Sequence, residues 1–112
     1  MSITFHSVQK IEIIVTGEKQ HFVEDLLKQC GTTGYTIIHD ISGLGEHGYH
    51  EGRLMFNDQD SLIMFVVVAD EDVIHSIAEG LLPLFREQSG VMFVTNTRVA
   101  RPEKFSNETS GA

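Results

Sequence analysis

LIMFVVVA, from Leu62 to Ala69, is the longest unbroken apolar run in the chain. It has strand length, and continuous apolarity of this kind is expected of a central strand buried on both faces. Downstream, Asp70 or Asp72 is placed to cap a helix, with acidic residues in the first turn where the helix dipole favours them. That helix is predicted from about Glu71 to Gln88, with Val73, Ile77, Leu81, Leu84 and Phe85 on one side. Pro83 lies inside it and should kink it or begin a new turn. Ser89-Gly90 stops the helix, Val91 to Val94 reads as the last strand, and Thr95 to Ala112 as a polar, fraying tail.

Upstream, the pattern is alternating. Val8 to Thr16 (VQKIEIIVT) places Ile11, Ile13 and Val15 on one face of a strand. Gly17 to Gln20 is a turn, and His21 to Cys30 carries Phe22, Val23, Leu26, Leu27 and Cys30 at helical spacing. Gly31 can take the left-handed conformation that closes such a helix. Gly34 to Ile41 (GYTIIHDI) is a second strand, rich in β-branched residues. From Ser42 to about Asp60 the pattern breaks, with glycines at 43, 45, 48 and 52, mixed charge, and room for a short strand around Arg53 to Phe56. A loop of this length in so small a domain tends to be functional.

The order β-α-β-β-α-β predicts an α+β fold, the ferredoxin-like sandwich. Two helices cover only one face of a four-stranded sheet, so an oligomer is expected to cover the other. The chain of 112 residues suffices for one domain. Its formal charge of -8 works against sustained binding to nucleic acid or an anionic membrane. No apolar run reaches the ~20 residues of a membrane helix, and nothing at the N-terminus marks the chain for export. The lone cysteine, Cys30, agrees with a reducing cytoplasmic setting and reads as a small apolar residue near a helix end. Gly-x-Ser-x-Gly, the P-loop lysine motif and any placeable Ser-His-acid or Cys-His constellation are absent, so no enzyme is expected. His39-Asp40 are adjacent on a strand and so are expected on opposite faces.

Three features carry a family resemblance. Gly43-Leu44-Gly45, followed by Gly48, is similar to the glycine motif that opens the T-loop of the PII signalling superfamily. Leu62 to Asp70 resembles that family's third strand entering its second helix, and Arg98-Val-Ala-Arg101 resembles its Arg-Val-x-Arg ending. The likeness spans roughly Gln9 to Lys104. It implies a homotrimer with a PII-like domain over residues 1–105, a T-loop at about 43–61 and a tail at 106–112. It also implies an adenine nucleotide in each cleft between subunits, held by Thr36, Gly43, Leu44, Gly45, Ser89, Gly90, Arg98 and Arg101. Backbone amides released by glycine and arginine forks are a suitable cradle for phosphate.

Departures from the family pattern refine the expectation. The connection Glu87-Gln88-Ser89-Gly90 is short and lacks a lysine, so a triphosphate loses a cationic partner and ADP or AMP should compete well with ATP. His47 stands near the glutamine with which nitrogen-regulating members bind magnesium and 2-oxoglutarate, and Tyr49 has no clear counterpart to their modified tyrosine. The pattern resembles the PII-like proteins linked to carboxysomes and bicarbonate transporters, which implies bicarbonate as a further ligand. It also implies a transporter or carbon-fixation component as the protein target of the T-loop. A nitrogen-regulatory role with ATP and 2-oxoglutarate is one alternative. A metal-binding relative using His47, His50 and Glu51 is another.

Structural readings stand beside these. Gly43 and Gly45 also suit a turn, Thr36 an ordinary strand, and Ser89-Gly90 a tight αβ turn. Arg98 also suits a structural pairing with a carboxylate.

Overall fold

The computed structural model describes residues 3–45, 48–50 and 61–100, with the side chains of 44, 45 and 48–50 outside the description. The elements in chain order are β1 (His6–Thr16), a 3-10 turn (Gly17–Lys19), α1 (Gln20–Gln29), β2 (Thr36–Ile41), β3 (Gly43–Gly45), β4 (Gly48–His50), β5 (Leu62–Ala69), α2 (Glu71–Glu87) and β6 (Val91–Val99). Four strands form one antiparallel sheet in the order β2-β5-β1-β6, and β3 and β4 form a separate hairpin. This is the ferredoxin-like sandwich predicted from the sequence.

The core lies between the sheet and the helices. β1 contributes Ile11, Ile13 and Val15, β5 contributes Ile63, Phe65, Val67 and Ala69, and the helices answer with Val23, Leu27, Val73, Ile74, Ile77 and Leu81. Alternation of strand side chains sets which residues enter it. In β5, the residues that alternate with the core set are only half-buried, so LIMFVVVA is covered on one face alone within the protomer. The opposite face carries Ile38, Met64, Ile14 and Val91 in one cross-strand row and Thr36, Val66, Glu12 and Phe93 in the next. Phe93 is 50% exposed there.

Helix ends follow local chemistry. Gly31, at φ 81°, closes α1: its amide donates to the Lys28 carbonyl while the Thr32 amide reaches the Leu27 carbonyl. The Thr32 hydroxyl donates to the same Leu27 oxygen at 3.0 Å. Cys30 sits at this end and packs against the core, and burial pushes its thiol pKa up. Asp70 occupies the N-cap position of α2, but its side chain makes no capping hydrogen bond.

Several elements differ from the sequence expectation. α2 runs through Pro83 as one helix; Pro83 is exposed on it, and Leu81 on its inner face is fully buried. β6 extends to Val99 because β1 begins early, at His6, and the two pair along their length down to His6 opposite Val99. Backbone pairing at a sheet edge tolerates polar side chains, so apolar content underestimated this strand. The glycine-rich stretch read as patternless holds the β3–β4 hairpin, with Leu44 opposite Tyr49. The expected short strand around Arg53 to Phe56 lies outside the described residues.

Replacing Phe65, fully buried, by Ala should lower unfolding free energy by roughly 3–5 kcal/mol. Gly31→Ala should cost about 1 kcal/mol, the penalty of a side chain in the left-handed region. Urea denaturation of both variants checks the ranking.

Candidate functional site

β2 delivers the candidate residues to one end of the sheet, and it does so through an irregularity. Ile38 faces Met64 and Ile41 faces Leu62, so β2 spends three residues where β5 spends two. The extra residue is a bulge, and Asp40 within it has φ 58°. Aspartate tolerates this left-handed conformation better than most residues. The bulge puts Ile38 and Ile41 on the same face despite their odd spacing, and His39 and Asp40 together oppose Ile63. Strict alternation therefore does not hold at His39-Asp40. Beyond Ile41 the chain leaves the sheet and folds into the β3–β4 hairpin.

The start of β2 is held against α1. The Tyr35 hydroxyl donates to Glu24 Oε2 at 2.7 Å, and His21 Nδ1 lies 3.2 Å from Glu24 Oε1. Tyr35 also packs its ring 5.6 Å from that of Phe65, which ties this surface cluster to the core. Its hydrogen bond holds the Glu24 carboxyl below the usual carboxylate range, against a smaller opposing effect of burial. The same bond, with desolvation, raises the Tyr35 phenol. Thr36 follows directly, exposed on the edge strand and on the sheet face away from the helices.

The glycines separate into two kinds. A Cβ on Gly90 would stand 2.6 Å from Phe85 Cε1, so packing under that ring explains the residue. A Cβ on Gly43 would meet none of the described residues within 4 Å, and its φ is not positive. Neither strain nor a described neighbour calls for glycine at 43, whereas close backbone approach by a ligand or second subunit would. Ser89 is exposed in the short connection between α2 and β6.

One protomer does not bring the candidates together. β2, which leads to Gly43, and β6, which follows Ser89-Gly90, are the opposite edges of the sheet, three strand spacings or about 14 Å apart, and both connections leave from the same sheet end. Arg98 lies toward the other end of β6, about 23 Å beyond Val91. A site using both the glycines and the arginine must therefore be completed by a second subunit. Arg98 has an aromatic partner: its guanidinium carbon lies 5.1 Å from the centroid of the Phe5 ring. Among the described residues no carboxylate pairs with it, and the partner shown there is this ring. Phe5 escaped the sequence reading because it precedes the apolar pattern of β1, and only pairing with the far end of β6 places it.

Arg101, His47 and Glu51 lie outside the described residues, as do the side chains of Leu44, Tyr49 and His50. Among the described residues, no group of three His, Cys, Asp or Glu side chains is placed to hold a metal ion. Nor is any described helix long and apolar enough to cross a membrane.

The family model for nitrogen regulatory protein P-II matches residues 8–104. The chain belongs to this family. Within it the chain sits on the PII-like branch, with CPII, a nitrogen regulatory PII-like protein from Thiomonas intermedia K12. The structure of CPII bound to ADP, AMP and bicarbonate superposes with a TM-score of 0.89 at 43% identity, over 95% of this chain and 100% of that one. The apo form of CPII matches at 38% identity and a TM-score of 0.72, over 90% of this chain and 100% of that one. A structure from Thermus thermophilus shares the fold, with 21% identity, a TM-score of 0.77 and coverage of 92% and 99%. No curated protein sequence matches the chain.

Glu24 supplies a pH test. Its folded pKa is depressed, so its contribution is present above the unfolded carboxylate value and lost as pH falls through the folded one. Tyr35→Phe should therefore lose less stability than the unaltered chain between about pH 7 and about pH 3. Urea midpoints across that range check it, and equal acid sensitivity would refute it.

Proposed function

We propose that this chain is an adenine-nucleotide-responsive regulator and not a catalyst. It acts in the cytoplasm as a homotrimer that controls inorganic-carbon uptake or fixation. The observation that carries the reading is the 43% identity, across nearly the full chain, to CPII bound to ADP, AMP and bicarbonate. The physical setting agrees with it. A half-covered sheet presents Ile38, Val91 and Phe93 for burial against other subunits. The separation of Gly43 from Arg98 along the sheet supports a nucleotide site between subunits.

In this reading, Thr36 faces the base, and amides at Gly43, Leu44 and Gly45 meet the phosphates. Ser89 and Gly90 contribute amides from the α2–β6 connection. Arg101 and Arg98 reach in from the neighbouring subunit. Charge-assisted hydrogen bonds from guanidinium to phosphate supply much of the affinity in a protein of net charge -8. The short connection Gln88–Gly90 brings no lysine, which favours ADP or AMP over ATP. Nucleotide, with bicarbonate as a second effector, biases the conformation of the T-loop at about 43–61. A ligand that contacts one conformation more strongly shifts the population toward it, and so changes affinity for a transporter or carbon-fixation target.

Calorimetric titration with ADP, AMP and ATP, each with and without bicarbonate, tests this directly. The expected outcome is saturation near one nucleotide per subunit, with bicarbonate altering the affinity. Arg101→Ala should remove most of the ADP affinity, at least tenfold. Gly43→Ala should leave the thermal midpoint of the free protein within about 2 °C, because the added methyl meets none of the described residues within 4 Å, while weakening ADP at least tenfold. Absence of nucleotide binding by the unaltered chain would sink the proposal.

A further inference from the structure

Phe5 lies outside the stretch matched by the family model, which starts at residue 8. It is nonetheless the described side chain that holds Arg98, whose guanidinium carbon sits 5.1 Å from the ring centroid. The geometry is that of a cation on an aromatic face, an interaction that also favours guanidinium over ammonium. Phe5 is 47% exposed and is absent from the core cluster, so its ring is not there to fill the interior.

The same place forms an open cavity of about 400 Å³ lined by Phe5, Ser7, Asn96, Thr97 and Arg98. Among the described residues no carboxylate lines it. Ser7 faces Arg98 across the β1–β6 ladder, and Gln9 faces Asn96. Gln9 Nε2 donates to Asn96 Oδ1 at 3.0 Å, which leaves the Asn96 amide NH₂ as a donor. On the face shared by Ser7, Asn96 and Arg98 the lining therefore offers a guanidinium, an amide NH₂ and the Ser7 hydroxyl, a set suited to an oxyanion or to the polar edge of a nucleotide.

We propose that Phe5 is a positioning residue for nucleotide binding, which fixes the plane of the Arg98 guanidinium toward an anionic ligand at this cavity. This rests on the nucleotide-binding reading above. An arginine side chain loses much rotamer freedom when it engages a ligand. A ring that already restricts it reduces that cost, and the gain appears as affinity. The N-terminal segment thus adds a positioning residue that residues 8–104 do not supply.

The test uses the full chain and ADP as probe, with two variants. Phe5→Leu keeps apolar bulk and removes the π face, whereas Phe5→Tyr keeps the face. Calorimetry should show ADP binding weakened about fivefold in F5L and within about twofold of the unaltered chain in F5Y. Thermal midpoints of both ligand-free variants should stay within about 2 °C of the unaltered chain. Equal ADP affinity in F5L would overturn the inference while leaving the proposed function standing. Equal weakening in both variants would also overturn it, since shape and not the aromatic face would then matter. Failure of the unaltered chain to bind ADP would overturn both readings together.

Discussion

The antiparallel pairing of β1 with β5 is the constraint on which the rest of this structure depends. Eight cross-strand pairs, from Gln9–Ala69 to Thr16–Leu62, align Ile11, Ile13 and Val15 with Val67, Phe65 and Ile63 on one face. Both helices pack on that face and make a single core with it. A shift of register by one residue would turn this apolar set to the other side and leave the helices nothing to cover. The edge strands β2 and β6 are then placed by their pairing with β5 and β1 respectively. The candidate site inherits its geometry from those edges.

Covering only one face has a second consequence. The other face carries an apolar row, Ile38, Met64, Ile14 and Val91, beside a mixed one with Val66 and Phe93, and the candidate ligand groups fall at opposite ends and edges of the sheet. Both facts point the same way physically. In the proposed oligomer, burying the open face would bring subunits together, and the same association would bring the glycine end of one sheet to the arginine end of another. Gly43 fits this arrangement as a position whose lack of a side chain has no explanation among the described residues. Gly90, by contrast, is accounted for by the Phe85 ring, so its value to a ligand would rest on its amide alone.

Legibility in the sequence varied with how local each signal was. Alternation in Val8–Thr16, helical spacing in α1 and α2, and the continuous run of β5 placed the four main strands and both helices. The Gly31 closure was readable because it depends on one residue and the turn before it. The Asp40 bulge was not readable, since HD is an ordinary strand dipeptide and only the register against Ile63 reveals the extra residue. The outer half of β6 was missed for the same reason: Thr95–Val99 is mostly polar, and its strand character comes from hydrogen bonding to β1. Arg98 was singled out by its spacing to Arg101, but its aromatic partner was invisible across more than ninety residues of chain.

The sequence by itself determined the order of the four main strands and two helices, the core-facing stripes of β1, α1 and α2, and the family, because these follow from short-range periodicity and from local motifs such as Gly43-Leu44-Gly45. Only the tertiary structure decided the bulge at Asp40, the hairpin after it, the length of β6, the role of Gly90 under Phe85 and the stacking of Arg98 on Phe5. Those features arise where residues distant in the chain meet, and the contact energies that fix them depend on register and close approach, which composition and spacing do not encode.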